Sequence, residues 1–223
     1  MIKNISNLGD AAVYCDFGNE VNQEINSNVI NYFQNLKDYG FEGITNLTPS
    51  YNKLIVSFDL SITNFEKTKK IIENLEIKEN HSLSKKKIQI PVCCEDEHAL
   101  DLKKLERKLD KPSDEILNIF FSKEYFCYMT GFIAGMPFLG DIDKNLHAKR
   151  LETPRVKVPK GSIGLTEQFC NIYTFESPGG WNIIGNTPLN IFDSLNEDNP
   201  NLINPGDTAV SYTHLTLPTN HPV

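Results

Sequence analysis

Arg155 is the side chain of this sequence best suited to grip an anion, standing directly after Pro154 and at the head of an apparent strand, Val156-Lys157-Val158. Its planar guanidinium offers paired N–H donors that match a carboxylate or a phosphate bidentately. A second group with chemical potential follows at Ser177-Pro178-Gly179-Gly180-Trp181, which holds the chain's only tryptophan. Proline presets one turn dihedral, and the two glycines reach backbone regions closed to residues with a Cβ. The chain therefore reverses tightly there and delivers one large aromatic to a fixed place. Ser177 can hydrogen-bond a polar ligand, while Tyr128, Phe138 and Trp181 can line its pocket. The segment from Gly131 to Gly140, with Gly135 inside it, carries glycines that let backbone amides approach an anion. Tyr128, Gly135, Phe138, Arg155, Ser177, Gly179, Gly180 and Trp181 are thus the candidate substrate-binding residues. All are equally able to serve as turn, barrel core or rim, and the residues alone assign no catalytic group.

No self-contained catalytic signature accompanies them. The sequence has no GxSxG elbow, no HExxH and no P-loop; Lys160-Gly161-Ser162 matches only the end of one. No metal motif is seen: Cys93-Cys94 reads as strand-end packing, and His81, His98 and His147 sit in polar surroundings as surface residues. Acidic residues outnumber basic ones 29 to 22, for a net charge of −7, and no basic run exceeds Lys85-Lys86-Lys87. That balance argues against nucleic acid or an anionic membrane as main partner. No apolar run approaches the roughly 20 residues of a membrane helix, and the N-terminus lacks a signal-peptide core. Five cysteines without regular spacing fit a reducing compartment, so a cytoplasmic protein is expected.

The elements that must position these groups fall into two parts. Ala12–Phe17 reads as a strand closed by Gly18. Val21, Ile25, Val29, Tyr32 or Phe33, and Leu36 recur at helical spacing up to Gly40. Ile44–Pro49 and Leu54–Phe58 are strand-like around a Ser50-Tyr51-Asn52 turn, and Thr63-Asn64-Phe65-Glu66 reads as a capping box opening a second helix. Two helices on one face of a small antiparallel sheet make an α+β sandwich, expected over residues 1–84. A polar stretch, Asn80 to Lys87, leads into Ile88–Val92. Two helical patterns follow, one marked by Leu102, Leu105 and Leu109, the other capped by Ser113. From Tyr125 onward, apolar segments broken by Gly and Pro at intervals of about 8 to 12 residues signal a barrel or β-sandwich over residues 85–208.

Taken in order, Glu124–Gly140, Thr153–Gly164 and Glu176–Pro188 resemble the KipI family, also known as the B component of 5-oxoprolinase, allophanate hydrolase subunit 1 or carboxyltransferase subdomain C/D. Leu8-Gly9-Asp10-Ala11-Ala12 and Ile90-Pro91-Val92-Cys93 fit as well, so the likeness spans about residues 1 to 208. The resemblance implies a cyclophilin-like β-barrel for the second part. It also implies work as the B component of a bacterial ATP-dependent 5-oxoprolinase, opening 5-oxoproline to glutamate with subunits C and A. ATP is the implied cofactor, in a site shared with those partners. The family also contains inhibitors of a sporulation histidine kinase and carboxyltransferase halves of biotin-dependent urea carboxylases. This chain departs from the family pattern at Ala134 (usually Pro), Met136 (usually Phe), Thr166–Asn171 (usually AGGQTG-like) and Asn186 (usually Arg).

The tail carries a different resemblance. One coding sequence for residues 209–219 contains CTGTCTCTTATACACATCT followed by GACGCTGCCGACG, which matches a transposon adapter used in DNA library preparation. Residues 209–223 are therefore expected to be foreign to the protein, with few core contacts beyond strand pairing by Val210 and Tyr212. Thr216–Thr219 is expected to fray, and Ser211 and His214 to hold no catalytic role. Family members close with a Gly-Asp-x-Val-x-Phe-like strand, so the native sequence is expected to stop near Gly206-Asp207-Thr208.

Overall fold

The computed structural model describes residues 1–78 and 86–213. The chain divides into two compact units, Met1–Ser84 and Lys85–Val223. The expected linker core, the histidine at 81 and the tail beyond Thr213 lie outside the described residues.

In the first unit, strands β1 (Asn4–Asn7), β2 (Ala12–Asp16), β3 (Ile44–Ser50) and β4 (Lys53–Phe58) form an antiparallel sheet in the order β1-β2-β4-β3. Alternation along the strands buries Val13 and Cys15 on β2 and Leu54, Val56 and Phe58 on β4. Val29 and Leu36 of helix α1 (Gln23–Tyr39) and Ile72 of α2 (Phe65–Asn74) join the same core. Helix α1 starts where the Asn22 side chain accepts from Ile25 N at 2.9 Å and stops at Gly40, whose φ of 61° is left-handed. The start of α2 corrects the capping-box expectation. Asn64 is the cap, accepting from Lys67 N at 3.0 Å, while Thr63 is buried with its hydroxyl 3.5 Å from that of Thr68.

The second unit is mainly β with a nearly closed, barrel-like sheet. Its strands are β5 (Lys87–Val92), β6 (Glu124–Thr130), β7 (Pro137–Gly140), β8 (Arg155–Val158), β9 (Ser162–Thr166), β10 (Phe169–Ile172), β11 (Ser177–Gly179), β12 (Asn182–Asn186) and β13 (Thr208–Thr213). Seven of them run in the order β12-β9-β10-β7-β6-β13-β5, and β8 pairs with β11 as a separate ribbon. Just past β5, Cys93 and Asn186 exchange backbone hydrogen bonds of 2.8 and 2.9 Å, joining the two ends of the sheet. Pro91, which lacks an N–H, is tolerated because β5 is terminal in the ladder. Inward-facing Ile90, Cys127, Leu139, Leu165, Cys170 and Ile184 enclose a core sealed by helices α3 (Leu102–Leu109) and α4 (Ser113–Phe121) through Leu105, Ile116 and Phe120. Ser113 does not cap α4 as expected: Pro112 precedes the helix, and the Ser113 N–H and hydroxyl both donate to Glu106 Oε1, at 2.8 and 2.5 Å.

The last strand also departs from expectation. Ala209 and Ser211 face inward, fully and nearly fully buried, and Ala209 belongs to the main core. Val210 and Tyr212 are only half-buried. Strand β13 pairs in parallel with β5 and antiparallel with β6, and that register dictates the phase of the alternation.

Candidate functional site

The outer face of the same sheet carries a second, smaller cluster. Met136, Val158, Tyr173 and Ile183 are buried there, with Ile133 and Phe138 half-buried against them. The β8–β11 ribbon brings the sequence motifs together in register, Ser177 opposite Val158 and Gly179 opposite Arg155. Trp181 follows immediately and meets Phe138 edge to face, 5.6 Å between centroids. Two glycines are required by close approach. A Cβ on Gly179 would lie 2.2 Å from the Tyr173 hydroxyl, and one on Gly164 would lie 2.6 Å from Asn171 Oδ1.

Polar atoms converge on this cluster. Asn171 is 2% exposed, and its Oδ1 has no hydrogen-bond partner among the described residues; the same holds for the buried Ser177 Oγ. Asn171 Nδ2 lies 3.4 Å from Met136 Sδ. Burial raises the Tyr173 phenol above its ordinary value, opposed by a side-chain hydrogen bond from Asn171 and the positive charges of Arg150 and Arg155. The result is an aromatic wall beside unsatisfied acceptors, with guanidinium charge nearby. That suits holding a small polar molecule through its N–H or O–H groups. Ser177 Oγ contacts no base among the described residues, so nothing there activates it as a nucleophile.

Arg155 sits at this site, but its clamp closes on the protein itself. Its two terminal nitrogens donate to Asp101 Oδ2 and Oδ1 at 2.7 and 2.6 Å, and Asp101 is fully buried. The same carboxylate accepts from Ile183 N at 2.8 Å, tying the start of α3 to β12 and β8. Asp101 was not legible as a site residue. Its position before Leu102 reads as a helix cap, yet it makes no side-chain cap bond.

Phe138, Arg155, Ser177, Gly179, Gly180 and Trp181 gather around Tyr173, with the Gly180 carbonyl accepting from Leu151 N at 2.7 Å. Tyr128 and Gly135 have other neighbours. The Tyr128 ring meets Phe126 and Phe169 edge-on, and its hydroxyl donates to the Asp141 carboxylate at 2.9 and 3.0 Å. Gly135, at a φ of 66°, lies under Phe192, where a Cβ would come within 2.3 Å of the ring. The Gly131–Gly140 segment is the turn 131–136 followed by β7 itself, and the turn's amides at Gly131 and Met136 bond within it, to Met136 O and Ile133 O. Sequence reasoning missed Asn171 and Tyr173 as site residues, although Asn171 stands among the departures from the family pattern. Its strand backbone needs no left-handed tolerance; Glu167, at a φ of 45°, is the residue held there. Among the described residues no three His, Cys, Asp or Glu side chains are placed to share a metal ion, and no helix is long and apolar enough to cross a membrane.

Residues 3–203 match the family described as carboxyltransferase domain, subdomain C and D. Over 215 residues the chain is 33% identical to the B component of the 5-oxoprolinase of Bacillus subtilis (strain 168), covering 91% of this chain and 89% of that one. The fold is similar to that of the protein TTHA0988, with a TM-score of 0.83 at 24% identity over 93% of this chain; this chain spans 41% of that one. It is also similar to a part of the K. lactis urea amidolyase, with a TM-score of 0.79 at 19% identity, covering 94% of this chain and 14% of that one.

Proposed function

The chain belongs to the carboxyltransferase-domain family, subdomain C and D, and from that premise we propose that it is the B component of a bacterial ATP-dependent 5-oxoprolinase. The observation that carries this reading is identity of 33% along 91% of the chain to the B component of the Bacillus subtilis enzyme. The reaction opens the lactam of 5-oxoproline to glutamate. A lactam carbonyl is a poor electrophile. Transfer of the terminal phosphoryl group of ATP to its oxygen makes that oxygen a leaving group. Water then adds at the carbon and the ring C–N bond breaks, the ring nitrogen leaving as the amine of a γ-glutamyl phosphate. A second water displaces phosphate from that acyl phosphate and leaves glutamate, with nearby donors and positive charge stabilising the oxygen. In this chain Asn171 Oδ1 is the acceptor available to a lactam N–H, and Phe138 and Trp181 flank the ring.

The reading includes partner subunits C and A, an ATP site shared with them, and a cytoplasmic location, which five free thiols suit. Its architecture is an α+β sandwich at 1–84 and a cyclophilin-like barrel at 85–208, with 209–223 foreign. The carboxyltransferase and kinase-inhibitor alternatives gain no support of their own, since 19% identity to urea amidolyase speaks for fold alone. Reconstitution tests the proposal. The purified chain should be inactive, and 5-oxoproline should yield glutamate with ATP only when subunits C and A are added. Robust turnover by the single chain, or none by the assembled subunits, would refute it.

A further inference from the structure

Beside the end of β11 at Gly180 lies a concavity of about 560 Å³, within the usual size of small-ligand sites. Its lining includes Lys104, Lys108, Lys149, Arg150 and Arg155, with Glu152 as the one carboxylate. The chain as a whole has more acid than base, 29 residues against 22, so this convergence runs against its composition. The cations come from three separate segments: helix α3, the stretch 149–153, and the start of β8. Lys104 and Lys108 stand four apart on α3, where like charges repel. Lys104 is 3.6 Å from buried Asp101, and Lys108 donates to Asn182 at 3.0 Å. Neither the Lys149 nor the Arg150 side chain makes a hydrogen bond or ion pair among the described residues. A merely solvated face would spread such charges outward; here they line one hollow, and Asp101 fixes the Arg155 guanidinium in a single plane with two hydrogen bonds.

We infer that this concavity is a binding site for the polyphosphate chain of a nucleoside triphosphate. Compact phosphates carry three to four negative charges, and each non-bridging oxygen accepts from lysine or arginine. Arg150 lies 3.4 Å from the Cβ position of Gly180, and Arg155 is in register with Gly179, so the phosphates would stop at the end of β11 that borders Tyr173 and Trp181. The choice of a nucleotide over another polyanion rests on the oxoprolinase reading. The site itself rests on the convergent charges.

Titration calorimetry on the full chain with ATP, and separately with inorganic tripolyphosphate, tests it. Both should bind, and more weakly as salt is raised. The double variant Lys149→Glu, Arg150→Glu should lose at least tenfold in affinity for both, with an unchanged melting temperature. Lys37→Glu, in the first unit, should lose nothing. Every lining residue belongs to this chain, so failure of both ligands to bind would overturn the inference. ATP binding untouched by the double variant would overturn it too, as would occlusion of the groove by a partner subunit in place of nucleotide. If binding fails while the reconstituted complex still opens 5-oxoproline, only the groove assignment falls. If nucleotide binds and the complex is inert, the oxoprolinase reading falls alone.

Discussion

Buried Asp101 and half-buried Arg155 form a bidentate pair whose carboxylate also accepts from the Ile183 N–H. Removing Asp101 takes away the carboxylate that holds Arg155, and removing Arg155 leaves the buried carboxylate with only Lys104, 3.6 Å away, as a nearby cation. Asp101→Ala is expected to cost about 3 kcal/mol or more, read as a shifted urea midpoint. Arg155→Ala should cost a similar amount, and the double variant less than the sum; additive losses would show that the pair is not coupled. The second residue-scale prediction concerns Gly179. Its φ is not left-handed, so an added Cβ meets no backbone strain but runs into the Tyr173 side chain, 2.2 Å from the hydroxyl and 2.8 Å from the ring carbon that bears it. Gly179→Ala should destabilise by about 1–3 kcal/mol through overpacking. Tyr173→Phe in the same chain should recover part of that loss, and no recovery would place the clash elsewhere.

At the scale of elements, the β9–β10 turn carries stored strain. Glu167 is exposed with a φ of 45°, where the family commonly has glycine. An L-residue there costs roughly 1–2 kcal/mol, partly offset in the reverse substitution by the larger chain entropy of unfolded glycine. Glu167→Gly should therefore raise stability by about 0.5–1 kcal/mol in thermal melts; a lower melting temperature would contradict the strain argument. The short 3₁₀ turn Lys144–Leu146 offers a pH test. Asp143 caps it through Asn145 N at 2.9 Å and pairs with Lys123 at 2.8 Å. The Lys123 hydrogen bond, with the Asn145 N–H, holds its carboxyl down to about 2. A carboxylate depressed in the folded state stabilises above its unfolded value, near 4, and that contribution disappears as pH falls toward 2. Unfolding midpoints measured across pH 5 to 2 should fall, with a shallower fall for Asp143→Asn. Parallel curves for the two chains would remove Asp143 from the account.

At the scale of the molecule, closure of the second unit depends on β13. Ala209 and Ser211 occupy its inward positions, where a Gly-Asp-x-Val-x-Phe-like ending beginning at Gly206-Asp207 would place Val and Phe. A small and a polar side chain thus stand where that family ending would place larger apolar ones. Each buried methylene contributes about 0.8 kcal/mol. Ala209→Val with Ser211→Phe is expected to raise the melting temperature by several degrees. A lower value would show that the present residues fit their slots, and a natural genomic codon run through Val223 would end the foreign-tail proposal.

Much of the secondary structure was legible because it is local. The Ser50-Tyr51-Asn52 turn, the helix ending at Gly40 and the alternation of β2 and β4 follow from periodicity and from which residues tolerate a given φ. The Pro-Gly-Gly of Ser177–Trp181 reads as a tight reversal of the chain, but Ser177–Gly179 forms strand β11 and neither glycine takes a positive φ; the ordered motifs carried the family. Local pattern does not say which of two faces a strand buries or which distant side chain completes a polar group. Asp101 and Arg155 are 54 residues apart, and only the ribbon register and the helix packing bring them together. The same holds for Lys104 and Lys108 of α3 facing Lys149 and Arg150, and for Asn171 and Tyr173 facing Phe138 and the Ser177–Trp181 segment. Sequence by itself determined the main helices, the β2 and β4 strands of the first unit and the family, because these depend on neighbours along the chain. The tertiary structure alone decided that Arg155 is held by Asp101, that Tyr128 and Gly135 stand apart, and that a basic hollow borders the aromatic site. Burial, charge pairing and hydrogen-bond satisfaction are settled between segments only once the sheet is assembled.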